Sequence, residues 1–287
     1  MPELPEVEHL RRRLVAGIQG ARITDVHLHR PDVVNSRGSS KPRPRISRSM
    51  LLQEATVATL ERLGKQLAIH ADDGRVLCLH LGMSGQVQLV DPGDPVKPHT
   101  HCTWSLREGR RRLEMRFVDP RRFGGLWTFA SRDRLLGDRW SQLGPDALDL
   151  DPGLLARQLE GRARGLKATL LDQAIVAGLG NIYVDEILFR ARLHPRQPAG
   201  TVKRDEVERI ADATLGILGQ AIQQGGSTVR SWLDSEGQVG EFARSHKVYG
   251  RSGDMCVDCG QPLRDDLVAQ RQTVWCPNCQ RLKRRKR

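Results

Sequence analysis

The chain lacks any apolar stretch long enough to form a membrane-spanning helix, which excludes a helical integral membrane protein. Its N-terminus has no basic, then apolar, then small-residue pattern of a secretory signal, so a cytoplasmic location is expected. No glycine-rich phosphate loop follows a strand, and no nucleotide cofactor is expected. Internal repeats are absent. Aromatic residues are scarce, with only five Phe, so little ring surface is available for stacking. Acidic residues are outnumbered, 34 against 46 Lys plus Arg, for a formal charge of +12 over 287 residues. A basic excess of this size points to a polyanionic partner, DNA or RNA first.

Cysteine is present in two kinds of place. Cys78 and Cys102 stand alone and read as buried, reduced core residues. The other four read CVDC (256–259) and CPNC (276–279), with sixteen residues between the pairs. That spacing suits one Zn²⁺ held by Cys256, Cys259, Cys276 and Cys279. Four thiolates leave no open coordination position, so the predicted role is structural. Two disulfides are the weaker reading in a reducing compartment.

Hydrophobic periodicity divides the chain. Val7, Leu10, Leu14 and Ile18 recur at helical spacing, with Pro5 in the first turn. From Ile23 to about Phe129 the pattern becomes strand-like, with hairpins expected around Asp73-Gly74 and Glu108-Gly109. Several short strands with turn signals suggest a β-sandwich. The basic, Pro- and Ser-rich stretch 37–49 interrupts them as a solvated loop. After Ser131 helical periodicity returns in "LLARQLE", "LKATLLDQAIV", "IYVDEILF" and "RDEVERIADATLGILGQAI". Asn181, after the Gly-rich "GLG", is placed as a helix N-cap, and a helix start is also an anion site. The expected boundaries are a β-sandwich domain over 1–131, a linker over 132–150, a helical domain over 151–245, a zinc hairpin over 246–282 and a basic tail over 283–287.

The opening "MPELPEVE" is unusual. If Met1 is removed, Pro2 carries a free secondary amine with the Glu3 carboxylate one residue away. A free α-amine has a pKa of about 8, so part of it is neutral near neutrality. A secondary amine that attacks carbon yields an iminium, an electron sink for later elimination. Glu3 is then a natural proton shuttle. Glu6 and Glu8 read as ordinary acidic residues complementing the helix dipole.

"PELPEVE", "HLGMSG" (80–85), "DPRRFG" (119–124), "GLGNIYVDE" (178–186) and the cysteine hairpin occur in an order that resembles bacterial formamidopyrimidine-DNA glycosylases, nearly end to end. The resemblance implies an α+β fold: an N-terminal β-sandwich with flanking helices, then a helix–two-turn–helix domain with a zinc-finger β-hairpin. It implies a monomeric, bacterial base-excision-repair enzyme, nucleoid-associated in use, acting on damaged double-stranded DNA. In such an enzyme Pro2 is the nucleophile and Glu3 the acid. Lys65 is a general acid/base or phosphate contact, and Arg271 reaches a phosphate and serves the second elimination. Met83, Arg121 and Phe123 match a triad that fills the gap left by the flipped base. Composition alone fits core packing of Met83 and Phe123 equally, whereas their glycine and arginine neighbours suit an exposed loop. His99, Arg121, Arg162 and Asn181 match DNA-contact positions, with Arg162 standing where a lysine is expected. The segment 231–251 resembles the loop that holds 8-oxoguanine, its Gly237 and Gly240 suiting a mobile lid, although its "QVGEF" departs from the usual residues.

Several functions fit parts of this pattern. The main reading is a bifunctional glycosylase/AP lyase for oxidised purines, working by a Pro2 Schiff base and β,δ-elimination. A related enzyme for oxidised pyrimidines is the alternative, although such enzymes typically open Pro-Glu-Gly. A non-catalytic zinc protein that binds damaged DNA leaves Pro2-Glu3 unexplained. An N-terminal-proline tautomerase leaves the charge, the cysteines and the length unexplained.

Overall fold

A computed structural model describes residues 2–35, 46–227 and 235–282. Met1, residues 36–45 (with most of the basic loop 37–49), residues 228–234 (with the start of the expected lesion loop 231–251) and the tail 283–287 lie outside the described residues. The chain divides into two compact units: Met1–Ser141 with Gly225–Glu241, and Gln142–Gln224 with Phe242–Arg287.

The first unit opens with α1 (Leu4–Ile18), whose Leu10, Leu14 and Ile18 are wholly buried, as their spacing requires. Eight strands follow: β1 (Arg22–Leu28), β2 (Val57–Leu63), β3 (Gln66–Ala71), β4 (Val76–His80), β5 (Gln86–Val90), β6 (Thr100–Glu108), β7 (Arg111–Val118) and β8 (Gly125–Phe129). They form two antiparallel four-stranded sheets in the orders β1-β6-β7-β5 and β2-β3-β4-β8. Both sheets and α1 contribute to one hydrophobic core. The two expected hairpins are present: Gln66 pairs His80 across β3–β4, and Glu108 pairs Arg111 across β6–β7. β3 is buried on both faces rather than alternating: Leu67 and Ile69 face the core shared with α1, and on the other face Gln66 Oε1 accepts from Arg139 Nε at 2.6 Å and Trp140 Nε1 at 3.2 Å. Trp104 is fully buried, and its indole N–H donates to the Leu51 carbonyl at 2.9 Å. Cys78 and Cys102 are buried free thiols, and burial pushes Cys78 up to about 11.

The stretch expected as a linker contains α2 (Arg132–Asp138), capped by Ser131, so the first unit extends to Ser141. Gly225–Glu241 returns to this unit instead of staying with the helices around it. There the Ser227 N–H donates to Glu6 Oε1 at 2.7 Å, and the Leu89 N–H donates to the Ser235 carbonyl at 2.9 Å.

The second unit carries α3 (Pro152–Leu159), α4 (Leu166–Leu170), α5 (Asn181–Arg190) and α6 (Arg204–Gln223), then the hairpin β9 (Arg264–Val268) and β10 (Arg271–Trp275). "LKATLLDQAIV" is shorter as a helix than its periodicity suggests. The Gln173 side chain ends it: its Nε2 donates to the carbonyls of Leu171 and Leu179, and its Oε1 accepts the Gly178 N–H. Those bonds fold residues 171–180 into the turn between α4 and α5. Among the described residues no helix is long and apolar enough to cross a membrane.

Candidate active site and nucleic-acid interface

Pro2 and Glu3 are both buried at the head of α1. The Glu3 N–H donates to Glu6 Oε2 at 2.7 Å, so Glu6 joins the residue beside the proline to Ser227 through one carboxylate. Gly226 is required beside it: φ is +84°, and a Cβ there would lie 2.6 Å from Glu6 Oε1.

Glu8 is no ordinary dipole partner. It is buried, and it accepts from Arg11, Arg12 and Arg62 at 2.8–3.1 Å. Burial alone would raise its pKa, but the hydrogen bonds from Arg11 and Arg12, with Arg62 beside them, hold it down at about 2. Arg62 Nη1 donates onward to the Gly64 carbonyl at 2.9 Å. Gly64, at φ +57°, and Lys65 form the two-residue turn between β2 and β3. Glu8 thereby fastens the Lys65 turn to the helix that starts beside Pro2 and Glu3. Lys65 itself is 8% exposed, unlike a solvated strand end. Near it, His80 is pushed to about 4 by burial, by Arg139 and by Lys65, so it is neutral at physiological pH.

Met83 and Phe123 are exposed, at 37% and 55%, and do not pack the core. The Arg121 guanidinium carbon sits 4.9 Å from the Phe123 ring centre. His99 is exposed and left-handed at φ +67°, a conformation uncommon outside glycine.

In the second unit the cap expected of Asn181 is not there. Gly180 is the N-cap of α5, extended at φ −137°, and Asn181 is the first helical residue. Its side chain is used elsewhere: Nδ2 donates to the Gln272 carbonyl at 2.9 Å, next to Arg271. The same carbonyl accepts from Lys167 Nζ at 3.2 Å. Lys167 is fully buried and donates to Asp185 Oδ1 at 2.6 Å, and Asp185 Oδ2 accepts the Val274 N–H at 3.1 Å. Burial raises the Asp185 carboxyl to about 7, against the pull of Lys167. Asn181 and Arg271 are thus set beside each other by a buried ion pair between α4, α5 and β10. Arg271 is exposed just after a turn in which Ala269 and Gln270 are both left-handed, at φ +51° and +59°. Arg162 is exposed, and its Nε donates to the Gln158 carbonyl at 2.5 Å.

Sequence reasoning missed Lys167, Asp185, Arg62 and the Gln272 carbonyl. The available signal was a charge inside an apolar run, as in "GLKATLL" and "IYVDEILF", where a buried partner is needed.

The four hairpin cysteines converge, with all four Sγ atoms within 4.8 Å of one another. Cys259–Cys276 and Cys256–Cys279 are 3.4 and 4.0 Å apart, sulfur to sulfur. A tetrahedron of thiolates around a metal at about 2.3 Å has edges of about 3.8 Å. The group therefore fits one four-coordinate ion.

An antiparallel sandwich headed by a Pro-Glu helix, then a helix–turn–helix layer with a four-cysteine hairpin, defines a class of DNA-directed proteins. Residues 1–126 match the formamidopyrimidine-DNA glycosylase N-terminal domain, and residues 143–232 match the H2TH domain of the same enzymes. The chain belongs to the formamidopyrimidine-DNA glycosylase family. It is 42% identical over 289 residues to the formamidopyrimidine-DNA glycosylase of Xanthomonas campestris pv. campestris, covering 98% of this chain and 100% of that one. Against the Bacillus cereus enzyme (strain ATCC 10987) it is 38% identical, covering 98% and 99%. The crystal structure of the MutM (Fpg) protein from Thermus thermophilus superposes with a TM-score of 0.84 at 36% identity, covering 99% and 100%. Lactococcus lactis Fpg bound to abasic-site DNA superposes with a TM-score of 0.86 at 32% identity, covering 97% and 99%.

Proposed function

We propose that this protein excises oxidised purines, 8-oxoguanine and formamidopyrimidines, from duplex DNA and then cleaves the strand at the abasic site. The observation that carries the reading is Pro2-Glu3, buried at the head of α1 with Glu3 tethered to Glu6. Family membership and relatives solved with Fapy-dG, carbocyclic 8-oxo-G and abasic-site DNA support the purine substrate.

The chemistry follows from an unblocked Pro2. With Met1 removed, the proline nitrogen attacks C1′, the bond to the base breaks, and the base leaves with the electron pair and takes up a proton. Glu3 protonates the sugar ring oxygen as the ring opens, and a cationic iminium forms. The iminium acidifies C2′; loss of that proton expels the 3′-phosphate, and a second elimination releases the 5′-phosphate. Lys65 and Arg271 serve these steps by proton transfer and phosphate contact. Met83, Arg121 and Phe123 occupy the gap left by the extruded nucleotide, the guanidinium donors of Arg121 meeting the acceptors of the orphaned cytosine. His99, Arg162 and Asn181 contact the phosphate backbone. Cys256, Cys259, Cys276 and Cys279 hold one Zn²⁺, which orders the hairpin that presents Arg271 and takes no part in the bond changes. The enzyme acts as a monomer in the bacterial cytoplasm, at the nucleoid.

Borohydride trapping tests the reading. Duplexes carrying 8-oxoguanine or an abasic site form a stable adduct that maps to Pro2, whereas a thymine glycol duplex traps poorly. A mature protein shown to retain Met1 and still excising 8-oxoguanine at full rate would place the nucleophile elsewhere.

A further inference from the structure

Asp119 takes no part in the chemistry above, yet it is a wholly buried carboxylate with both oxygens engaged. Oδ1 accepts the Ser84 hydroxyl at 2.5 Å, and Oδ2 accepts the Gly124 N–H at 2.8 Å. Ser84 passes the connection on, its Oγ accepting the Arg121 N–H at 3.2 Å. The Asp119 backbone is used as fully. Its carbonyl accepts from His101 Nε2 at 2.8 Å and from the Arg122 N–H at 3.2 Å, and its N–H donates to the His99 carbonyl at 3.1 Å.

These contacts join two loops that sequence alone keeps far apart. One, 81–85, carries Met83; the other, 119–124, carries Arg121 and Phe123. The loops meet backbone to backbone. A Cβ on Gly82 (φ +62°) would fall 2.3 Å from the Phe123 carbonyl carbon, and one on Gly124 would fall 2.7 Å from the His80 carbonyl oxygen. Neither loop has an apolar anchor at its tip, since Met83 and Phe123 are exposed. Leu81 seats only the base of the first loop in the core, and it is hydrogen bonds that join the two tips. A carboxylate suits the task because it only accepts, and both groups it faces are donors.

We infer that Asp119, through Ser84, is the positioning residue that makes Met83, Arg121 and Phe123 one rigid unit and so sets the choice of base opposite the lesion. The inference rests on the proposed role of those three side chains. Side chains that must fill a gap in a base stack act together only if held to within a fraction of an ångström. Loosening one loop costs fit to the orphaned base before it costs chemistry at Pro2.

The test is single-turnover excision of 8-oxoguanine opposite cytosine and opposite adenine, beside trapping on a single-stranded abasic oligonucleotide, which has no opposite base. Ser84→Ala and Asp119→Ala are expected to lower the cytosine-to-adenine preference by about fivefold or more, with single-strand trapping within about twofold of wild type. Asp119→Asn is the conservative rescue. Its oxygen can still accept the Gly124 N–H while its amide donates to Ser84 Oγ, so the preference stays within about twofold of wild type. Amide hydrogen exchange on the free proteins checks the clasp directly, with Gly124 and Arg121 exchanging faster in both alanine variants. Equal loss on duplex and single-strand substrates, an unchanged preference in Ser84→Ala, or Asp119→Asn as impaired as Asp119→Ala would each overturn the inference. If the wild-type protein neither excises nor traps, the proposed function fails instead, and the clasp is judged by exchange alone.

Discussion

Glu8 is the sharpest place to test the physical account of the active-site scaffold. Its carboxylate lies buried among Arg11, Arg12 and Arg62, and its pKa falls from 4.5 to about 2. A fall of that size corresponds to at most about 3 kcal/mol of folding free energy, reduced by solvent screening at the partly exposed Arg11 and Arg12. A carboxylate with a depressed pKa contributes fully above its unfolded value of about 4.5 and loses the contribution as pH falls toward about 2. Glu8→Gln keeps the shape and removes the charge, and it is expected to destabilise the protein by about 2–3 kcal/mol near neutral pH. Urea unfolding followed by tryptophan fluorescence measures this, with Trp104, Trp127 and Trp140 reporting the first unit beside Trp275 in the second. The gap between wild type and variant should narrow steadily below about pH 4.5 as the wild-type carboxylate takes up its proton. The variant should also slow chemistry, because the Arg62–Gly64 bond that steadies the Lys65 turn depends on this cluster. A gap that stays constant down to about pH 3, or one below about 0.5 kcal/mol, would refute the reasoning.

Two further outcomes follow from the second unit. Metal analysis of the wild-type protein is expected to find one equivalent of zinc, and Cys259→Ser to abolish it and remove most duplex affinity, with the first unit still folded. Lys167→Met alone should cost about 3–5 kcal/mol, because it strips the buried Asp185 of its counter-charge, whereas Lys167→Met with Asp185→Leu should recover much of that loss in thermal unfolding.

What could be read beforehand depended on whether a residue's role is local. The periodicity of Val7, Leu10, Leu14 and Ile18 reports a buried helix face, because side chains three and four apart share one side. Turn residues at Asp73-Gly74 and Glu108-Gly109 likewise announce their hairpins, since both conditions are met within a few residues. The CxxC pairs are legible for the same reason, each knuckle being complete in four residues. Asn181 misled because its local chemistry was right and its partner was distant. An asparagine after Gly-Leu-Gly is a good cap, but the Gln272 carbonyl, ninety-one positions on, takes its amide instead and leaves Gly180 at the cap.

Glu6, Glu8 and Asp119 show the same limit from the other side. Each sits in a motif that reads as chemistry or as surface: a first helical turn, or a loop of DNA-facing arginines. Their use is to satisfy backbone and guanidinium donors from segments remote in sequence: Ser227 for Glu6, Arg62 for Glu8, Ser84 for Asp119. A buried carboxylate carries a desolvation cost that only several donors can offset. Such residues therefore mark where distant segments converge, and here they converge on the supports of Glu3, Lys65 and Arg121. Most of the residues expected to touch DNA, Met83, His99, Arg121, Phe123 and Arg162, are exposed and lie on loops or turns. What fixes their geometry is a second set of buried acids, and no periodicity or motif spacing reports that set, because its partners are chosen by the fold.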